Sequence, residues 1–299
     1  MTASTSPKKS NGKHLRRFTK KRCFLLFLLV GLCVFELYRS NATVGITHYT
    51  LISEKLPDAF HHYTIVQLSD LHDAVYGQDH EVVVRKVRTI APDVIFITGD
   101  LVDSNRYHLE QSLRLVEALQ TVAPIYYVTG NHEIATNDVE HIKGALERLG
   151  VYVLTDEAYR ITRPPDQSIV IGGIEDPLAS EQEDDITVKA SIQRTFRQVP
   201  DERFKVLLSH RPEQFEVYVE QGIDVVFSGH AHGGQFRIPG IGGLVSPGEG
   251  WFPNYTSGVH EENGSRMIIS RGLGNSIIPI RMLNQPEIVV VTLQQTANE

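Results

Sequence analysis

Cysteine is almost missing from this 299-residue chain. Its two copies, Cys23 and Cys33, both lie in one hydrophobic stretch near the N-terminus, and none follows. Disulfides therefore do not hold the body together, and thiolates are excluded there as metal ligands or nucleophiles. Acid is missing from residues 1–22, which hold Lys8, Lys9, Lys13, Arg16, Arg17, Lys20, Lys21 and Arg22. The chain has 29 basic and 36 acidic residues; with those eight set aside, 21 bases face 36 acids, a balance of about −15. So acidic a body offers no electrostatic footprint for long nucleic acid. Repeats and collagen-like tracts are absent too. A 41% hydrophobic and 22% charged composition is that of a globular protein with material for a sizeable core.

What is present begins with the run Cys23-Phe24-Leu25-Leu26-Phe27-Leu28-Leu29-Val30-Gly31-Leu32-Cys33-Val34-Phe35, which carries no charge. Basic residues followed by such a run mark a signal anchor or a secretory signal. The run is short for a full span, and Leu37 and Tyr38 extend it. Ser40-Asn41-Ala42 has the small-x-small form of a cleavage site, so removal is the competing reading. Either way the arm stays in the cytoplasm and the body crosses the membrane. The organisation read here is a basic arm over 1–22, a hydrophobic segment over 23–39, a linker and first strand over 40–60, and a single domain over 61–299. Asn41, Asn254 and Asn263 head sequons that matter only in a host able to glycosylate them.

The body alternates strands and helices. Strands are expected near His48–Leu51, Tyr63–Leu68, Val94–Ile97, Ile125–Val128, Val151–Leu154, Ser168–Ile171, Phe204–Leu208 and 224–227, then Met267–Ser270 and Ile288–Thr292. Helices are expected over 79–90, after a cap at Ser104, over Asp138–Leu149, Val188–Arg197 and 213–220. Residues 175–187 read as an acidic surface loop. This is an α/β pattern with parallel pairing early and closely spaced later strands, hence mixed sheets.

Polar signals sit at five strand ends: Asp70-Leu71-His72, Gly99-Asp100, Gly130-Asn131-His132-Glu133, Ser209-His210 and Gly229-His230-Ala231-His232. Ligand sites in open α/β sheets lie beyond the carboxyl ends of strands, so these should gather at one edge. Each alone has an ordinary explanation: a turn cap, a loop surface, or a glycine turn with two solvated histidines. Their recurrence argues for a site. His230 and His232 can serve one ion or two lying side by side. The nitrogen and oxygen donors of Asp70, His72, Asp100, Asn131, His210, His230 and His232 suit Mn, Fe, Zn or Ni. They are too many for one tetrahedral ion and enough for two.

In order, these segments resemble the signature of the calcineurin-like metallophosphoesterases over about residues 63–292. Leu68-Ser69-Asp70-Leu71-His72, Gly99-Asp100-Leu101-Val102-Asp103 and Ser228-Gly229-His230-Ala231-His232-Gly233-Gly234-Gln235 look most like the bacterial membrane-associated branch. Glu133 stands where much of the family has Asp, at a position that supports the loop. The resemblance implies a four-layer α/β/β/α sandwich of two mixed sheets and a pair of divalent ions (Mn, Zn or Fe). It implies Asp70, His72 and His232 on one ion, Asn131, His210 and His230 on the other, and Asp100 between them. It also implies hydrolysis of phosphodiester, phosphomonoester or pyrophosphate bonds by a metal-held hydroxide. His132 would be the general acid, oriented by Asp70 or Glu133. A membrane-proximal or lipid-linked substrate is the expected one. The alternatives are a soluble nucleotide or phosphomonoester hydrolase and a non-catalytic metal-binding surface protein. Arg211, Arg271, Asp73 and Asp103 are expected to act structurally. The glycine-rich segment Phe236–Phe252, with Trp251, is expected to pack as a loop, with a flap or membrane-facing wall as the alternative.

Overall fold

The computed structural model describes residues 12–247, 249–275 and 278–296, with side chains from Lys20 onward. Lys8 and Lys9 of the basic arm, and the side chains of Lys13, Arg16 and Arg17, lie outside the described residues.

A long helix, α1 (Gly12–Ala42), leads into strand β1 (Gly45–Ser53). The first half then runs β2 (Thr64–Leu68), α2 (Glu81–Ile90), β3 (Val94–Thr98), α3 (Leu109–Gln120), β4 (Ile125–Val128), α4 (Asn131–Ala135), α5 (Val139–Arg148) and β5 (Tyr152–Val153). The second half runs β6 (Glu157–Arg163), β7 (Gln167–Gly173), α6 (Asp184–Thr195), β8 (Lys205–Leu208), α7 (Phe215–Glu220) and β9 (Val225–Ser228). Four two-residue strands follow, β10 (Arg237–Ile238), β11 (Gly242–Gly243), β12 (Val245–Ser246) and β13 (Gly250–Trp251). The hairpin β14 (Gly258–Glu262) and β15 (Ser265–Ile269) and the last strand β16 (Glu287–Gln295) complete the chain.

Two six-stranded sheets result, ordered β1-β16-β2-β3-β4-β5 and β14-β15-β9-β8-β7-β6. Both are mixed. In the first, β16 pairs parallel to β1 and antiparallel to β2 while β2 to β5 are parallel. In the second, β7, β8, β9 and β15 are parallel, with β6 and β14 antiparallel at the edges. Three cores separate four layers. Val83, Val87, Leu115, Val116, Ile142 and Leu146 pack helices α2, α3 and α5 on the outer face of the first sheet. Ile65, Phe96 and Val128 meet Ile171, Val206 and Phe227 between the sheets. Val188, Ile192, Phe215 and Tyr218 pack α6 and α7 on the far side of the second. Burial on both faces explains why β3, Val94-Ile95-Phe96-Ile97-Thr98, has no polar alternation. This is the α/β/β/α sandwich of two mixed sheets.

Several local expectations change. Helix α6 starts at Asp184, inside the stretch read as a loop, because Asp184 and Asp185 complement the helix N-terminus. Strands β6 and β14 lie at sheet edges, half exposed, where no apolar run marks them. Helix α2 begins at Glu81, because Asp79 and His80 take left-handed backbone conformations. Ser104 does not cap α3, which begins five residues later at Leu109.

Candidate metal centre

Strands β2, β3, β4, β8 and β9 end side by side, so the loops after them meet at one edge. The chain reverses sharply after β2, β3 and β9. Asp70, His72, Asp100, His230 and His232 all sit in the left-handed region, with φ of 51°, 48°, 49°, 64° and 47°. That conformation costs a non-glycine residue roughly 1 kcal/mol or more each, so the surrounding packing has to enforce it. Close backbone approach adds a second demand. A Cβ on Gly229 would overlap Ser69 and Asp70, and one on Gly130 would overlap the Asp100 carboxylate.

The expected ligand side chains fall into two groups that share Asp100, and His72 also converges with Asp103 and His132 in a third. Asp70, His72, Asp100 and His232 offer ligand atoms to one point, and Asp100, His210 and His230 to another. In the first, His72 Nε2 lies 3.0 Å from His232 Nε2 and 3.6 Å from Asp100 Oδ2, and His232 Nε2 lies 3.4 Å from Asp70 Oδ1. In the second, His210 Nε2 lies 3.2 Å from both Asp100 Oδ2 and His230 Nδ1. All are buried. Asn131 is the first residue of α4, and the amide of the next residue, His132, donates to Asp100 Oδ1 at 2.9 Å.

Donor chemistry and spacing fit divalent ions. Imidazole nitrogens bound at 2.0–2.1 Å to one tetrahedral or octahedral ion lie about 2.9–3.4 Å apart, the separations found here. Asp70 Oδ2 and Asn131 Oδ1 are buried with no hydrogen-bond partner. A buried oxygen left so is costly unless a cation meets it.

Electrostatics points the same way. Burial holds His72 down at about 3 and keeps His230 and His232 well below their ordinary value. These rings are neutral with lone pairs available. Burial also pushes His210 down, but the facing Asp100 carboxylate reverses this and raises it to about 10. Asp100 itself is pushed up by burial and pulled well below the usual range by His210, His72 and His132. Burial raises Asp70 to about 6, and the nearby Asp100 charge adds to this.

The supporting contacts differ in part from expectation. Neither Asp70 nor Glu133 orients His132. The Ser104 amide donates to His132 Nδ1 at 3.1 Å, with Ser104 Oγ at the same distance, while Asp103 Oδ1 is 3.6 Å away. Since a backbone N–H occupies Nδ1, the neutral ring carries its proton on Nε2. The Glu133 carboxylate instead accepts from the amides of Gly130 (2.7 Å), Asp100 (2.9 Å) and Val102 (3.1 Å), binding the loops after β3 and β4 together. His210 Nδ1 donates to Thr98 O at 2.7 Å, turning Nε2 inward. Asp73 accepts from the amides of Asp103 and His108 and from Ser112, bracing the loop that carries Ser104. Arg211 grips Asp176 with two bonds, 2.6 and 2.9 Å, with its Nη1 3.4 Å from His230 Nε2, and Arg271 grips Glu287.

Two residues gave no signal in the sequence. Arg281 is wholly buried and donates to the carbonyls of Arg271 and Gly274 and to Asn275 Oδ1. Its Nη2 lies 3.3 Å from His232 Nδ1, and burial pulls it down to about 10. Asn284 donates to the carbonyls of His232 and Gln235, fixing the histidine loop. Beside His72 a cavity of about 370 Å³ opens, with Arg106 and His108 in its wall.

Comparisons with known proteins agree with this geometry. The chain is 27% identical over 87% of its length to YkuE, a metallophosphoesterase of Bacillus subtilis (strain 168), covering 88% of that protein. It is 29% identical over 84% of its length to a metallophosphoesterase of Aquifex aeolicus (strain VF5), covering 92% of it. A transmembrane protein with metallophosphoesterase domain from Danio rerio is 26% identical over 90% of this chain, which spans 62% of that protein. Two adjacent ligand clusters on this two-sheet fold make the protein a metal-dependent hydrolase with a dinuclear divalent-metal centre. A family model described as calcineurin-like phosphoesterase matches residues 63–234, more than half of the chain, and to that family the chain belongs.

Proposed function

We propose that this protein hydrolyses a phosphodiester, phosphomonoester or pyrophosphate bond in a membrane-proximal or lipid-linked substrate, and that it is of the membrane-associated branch of its family. One observation carries the catalytic reading: the Asp100 carboxylate belongs to both ligand clusters. A carboxylate so placed serves two cations and offsets their repulsion. In this reading Asp70, His72 and His232 hold one ion, Asn131, His210 and His230 the other, and Asp100 both. When bound, such a pair supplies Lewis-acid polarisation and charge neutralisation for in-line displacement at phosphorus.

The chain's own residues do the rest. His132 holds a proton on Nε2 because the Ser104 amide occupies Nδ1. That Nε2–H donates a hydrogen bond to the leaving oxygen as the phosphorus–oxygen bond breaks, and the water that adds to phosphorus supplies the proton the leaving oxygen keeps. Asp73 and Asp103 keep the Ser104 loop in place. The cavity beside His72 receives the group beyond the phosphate, and Arg106 at its wall favours an anionic one.

The membrane reading rests on α1. Its residues Lys20–Ala42 are long and apolar enough to cross a bilayer, about 35 Å at 1.5 Å per residue. The end of the helix supports retention over cleavage. Ser40 is fully buried and accepts from the Asn284 amide, and Asn41 pairs with both backbone groups of Arg281. Cleavage after Ala42 would strip these partners from the loop that holds His232. The Danio rerio relative carries "transmembrane" in its name. The same reading divides the chain into a cytoplasmic arm over 1–22, an anchor over 23–39, a linker and first strand over 40–60, and an extracytoplasmic catalytic domain over 61–299.

Purified protein with Mn²⁺ and bis(p-nitrophenyl) phosphate tests the chemistry. Turnover is expected, with a loss of about 10²–10⁴ in His132→Ala and loss to background in Asp100→Ala. No hydrolysis of diester or monoester with Mn²⁺, Zn²⁺ or Fe²⁺ would refute it. Comparing lipid with soluble phosphoesters on the active protein then decides the substrate class.

A further inference from the structure

Among the described residues outside α1, six of the fourteen exposed large apolar side chains fall on one small layer. Ile238, Ile241, Trp251 and Phe252 come from the glycine-rich segment, and Ile280 and Met282 from the tail. Trp251 is 74% exposed and Phe252 65%. Scattered apolar residues are normal on a soluble surface, whereas a joined group of them marks an interaction. These are joined. The Phe252 amide donates to Leu244 O and the Leu244 amide to Phe236 O, both at 2.9 Å. Phe236 bridges to Met282, and the Arg237 amide donates to Met282 O at 3.0 Å.

The layer is also continuous with the end of α1. Asn41 Nδ2 donates to Arg281 O and Asn41 Oδ1 accepts from the Arg281 amide, both at 2.8 Å, with Ile280 and Met282 on either side of that arginine. Arg39 reaches Gln285, and Gln285 reaches Thr43. The body therefore cannot swing freely about the helix, and the apolar rim stays beside the point where α1 leaves it. The rim also begins six residues past His232, and Gln235 between them donates to the carbonyls of Ile278 and Ile280.

We propose that this rim inserts into the same phospholipid surface that α1 enters, giving the protein a second membrane contact that fixes the orientation of the metal centre over the bilayer. The inference rests on reading α1 as a retained anchor. A lipid surface is the occupant because the rim joins a helix whose apolar side chains, Phe24 to Phe35, stand exposed along its length. Tryptophan at the rim suits an apolar–aqueous boundary.

Trp251 is the only tryptophan in the chain, so intrinsic fluorescence reads one site of the rim. The full chain is reconstituted into phosphatidylcholine–phosphatidylglycerol vesicles with either plain or brominated acyl chains. Trp251 emission is expected at shorter wavelength than in the urea-unfolded chain, with most of it lost on bromination and little lost to aqueous iodide. In Ile241→Ser/Phe252→Ser the emission should move back toward the unfolded value while bis(p-nitrophenyl) phosphate hydrolysis in detergent stays unchanged. Emission indifferent to bromination but quenched by iodide, in protein whose mass shows α1 intact, overturns the rim contact alone. A mass lacking residues 1–42 overturns the anchor reading and this inference with it. Neither result depends on whether the protein hydrolyses a phosphoester.

Discussion

Glu133 is where stability and site geometry are coupled most tightly. Its carboxylate is fully buried and takes three backbone N–H groups, from Gly130, Asp100 and Val102. All three belong to the loops that carry Asp100 and Asn131. Glu133→Ala leaves all three donors buried without an acceptor. At about 1–3 kcal/mol for each such group, with some relief from water entering the space, the loss is about 3–6 kcal/mol. For a domain of this size that lowers Tm by roughly 10 °C. Glu133→Gln keeps one acceptor oxygen and turns an NH₂ toward a donor, so it should cost about 1–3 kcal/mol. Burial and the Asp100 charge raise Glu133 to about 8, against the pull of the Gly130 and Val102 amides. Thermal unfolding followed by circular dichroism gives the stability, and Mn²⁺ titration the affinity. Both variants should bind metal more weakly because the Asp100 amide loses its fixed position, with Ala worse than Gln. A Glu133→Ala protein melting within roughly 2 °C of the parent and binding Mn²⁺ unchanged would refute the reasoning.

Metal loading should depend on pH through His210. Its folded-state pKa, about 10, lies above the ordinary value, so its proton stabilises the fold fully below about 6.5 and is lost as pH rises through about 10. A metal competes with that proton, so affinity at the Asp100–His210–His230 group should rise about tenfold per pH unit up to that point. Calorimetry at pH 8 in two buffers of different ionisation enthalpy should then show about one proton released per ion at that site; no buffer dependence would contradict it. Asp176→Asn breaks the buried two-bond pair with Arg211 and should cost about 3–5 kcal/mol in urea unfolding, leaving KM for the diester unchanged. A raised KM with unaltered stability would instead make Arg211 a phosphate contact.

The sequence by itself determined the layered α/β class and the segments that meet at the site. Strand ends announce themselves locally. An apolar run such as Val94–Ile97 stops at Gly99-Asp100, and the Asp-x-His and His-x-His pairs are written into single loops. Such signals need no partner to be seen. The edge strands β6 and β14 escaped because half their residues face solvent, which dilutes the apolar pattern. Helix α6 started earlier than expected because acidic residues at a helix N-terminus look like a polar loop.

Only the tertiary structure decided what surrounds the ligands. Ser104 looked like a helix cap, and packing against α4 turned its amide to His132 instead. Arg281 stands between Ile280 and Met282 with nothing to mark it, yet it is buried against His232. Asn41 and Ser40 looked like part of a cleavage site and became the clasp between α1 and the 281–285 segment. The physical reason is the range of the interactions. A turn that aims a ligand is set by neighbours one or two residues away, whereas a hydrogen bond that holds the ligand joins segments as much as 160 residues apart. Those pairings exist only once burial has brought the two chains together and left each buried donor needing an acceptor.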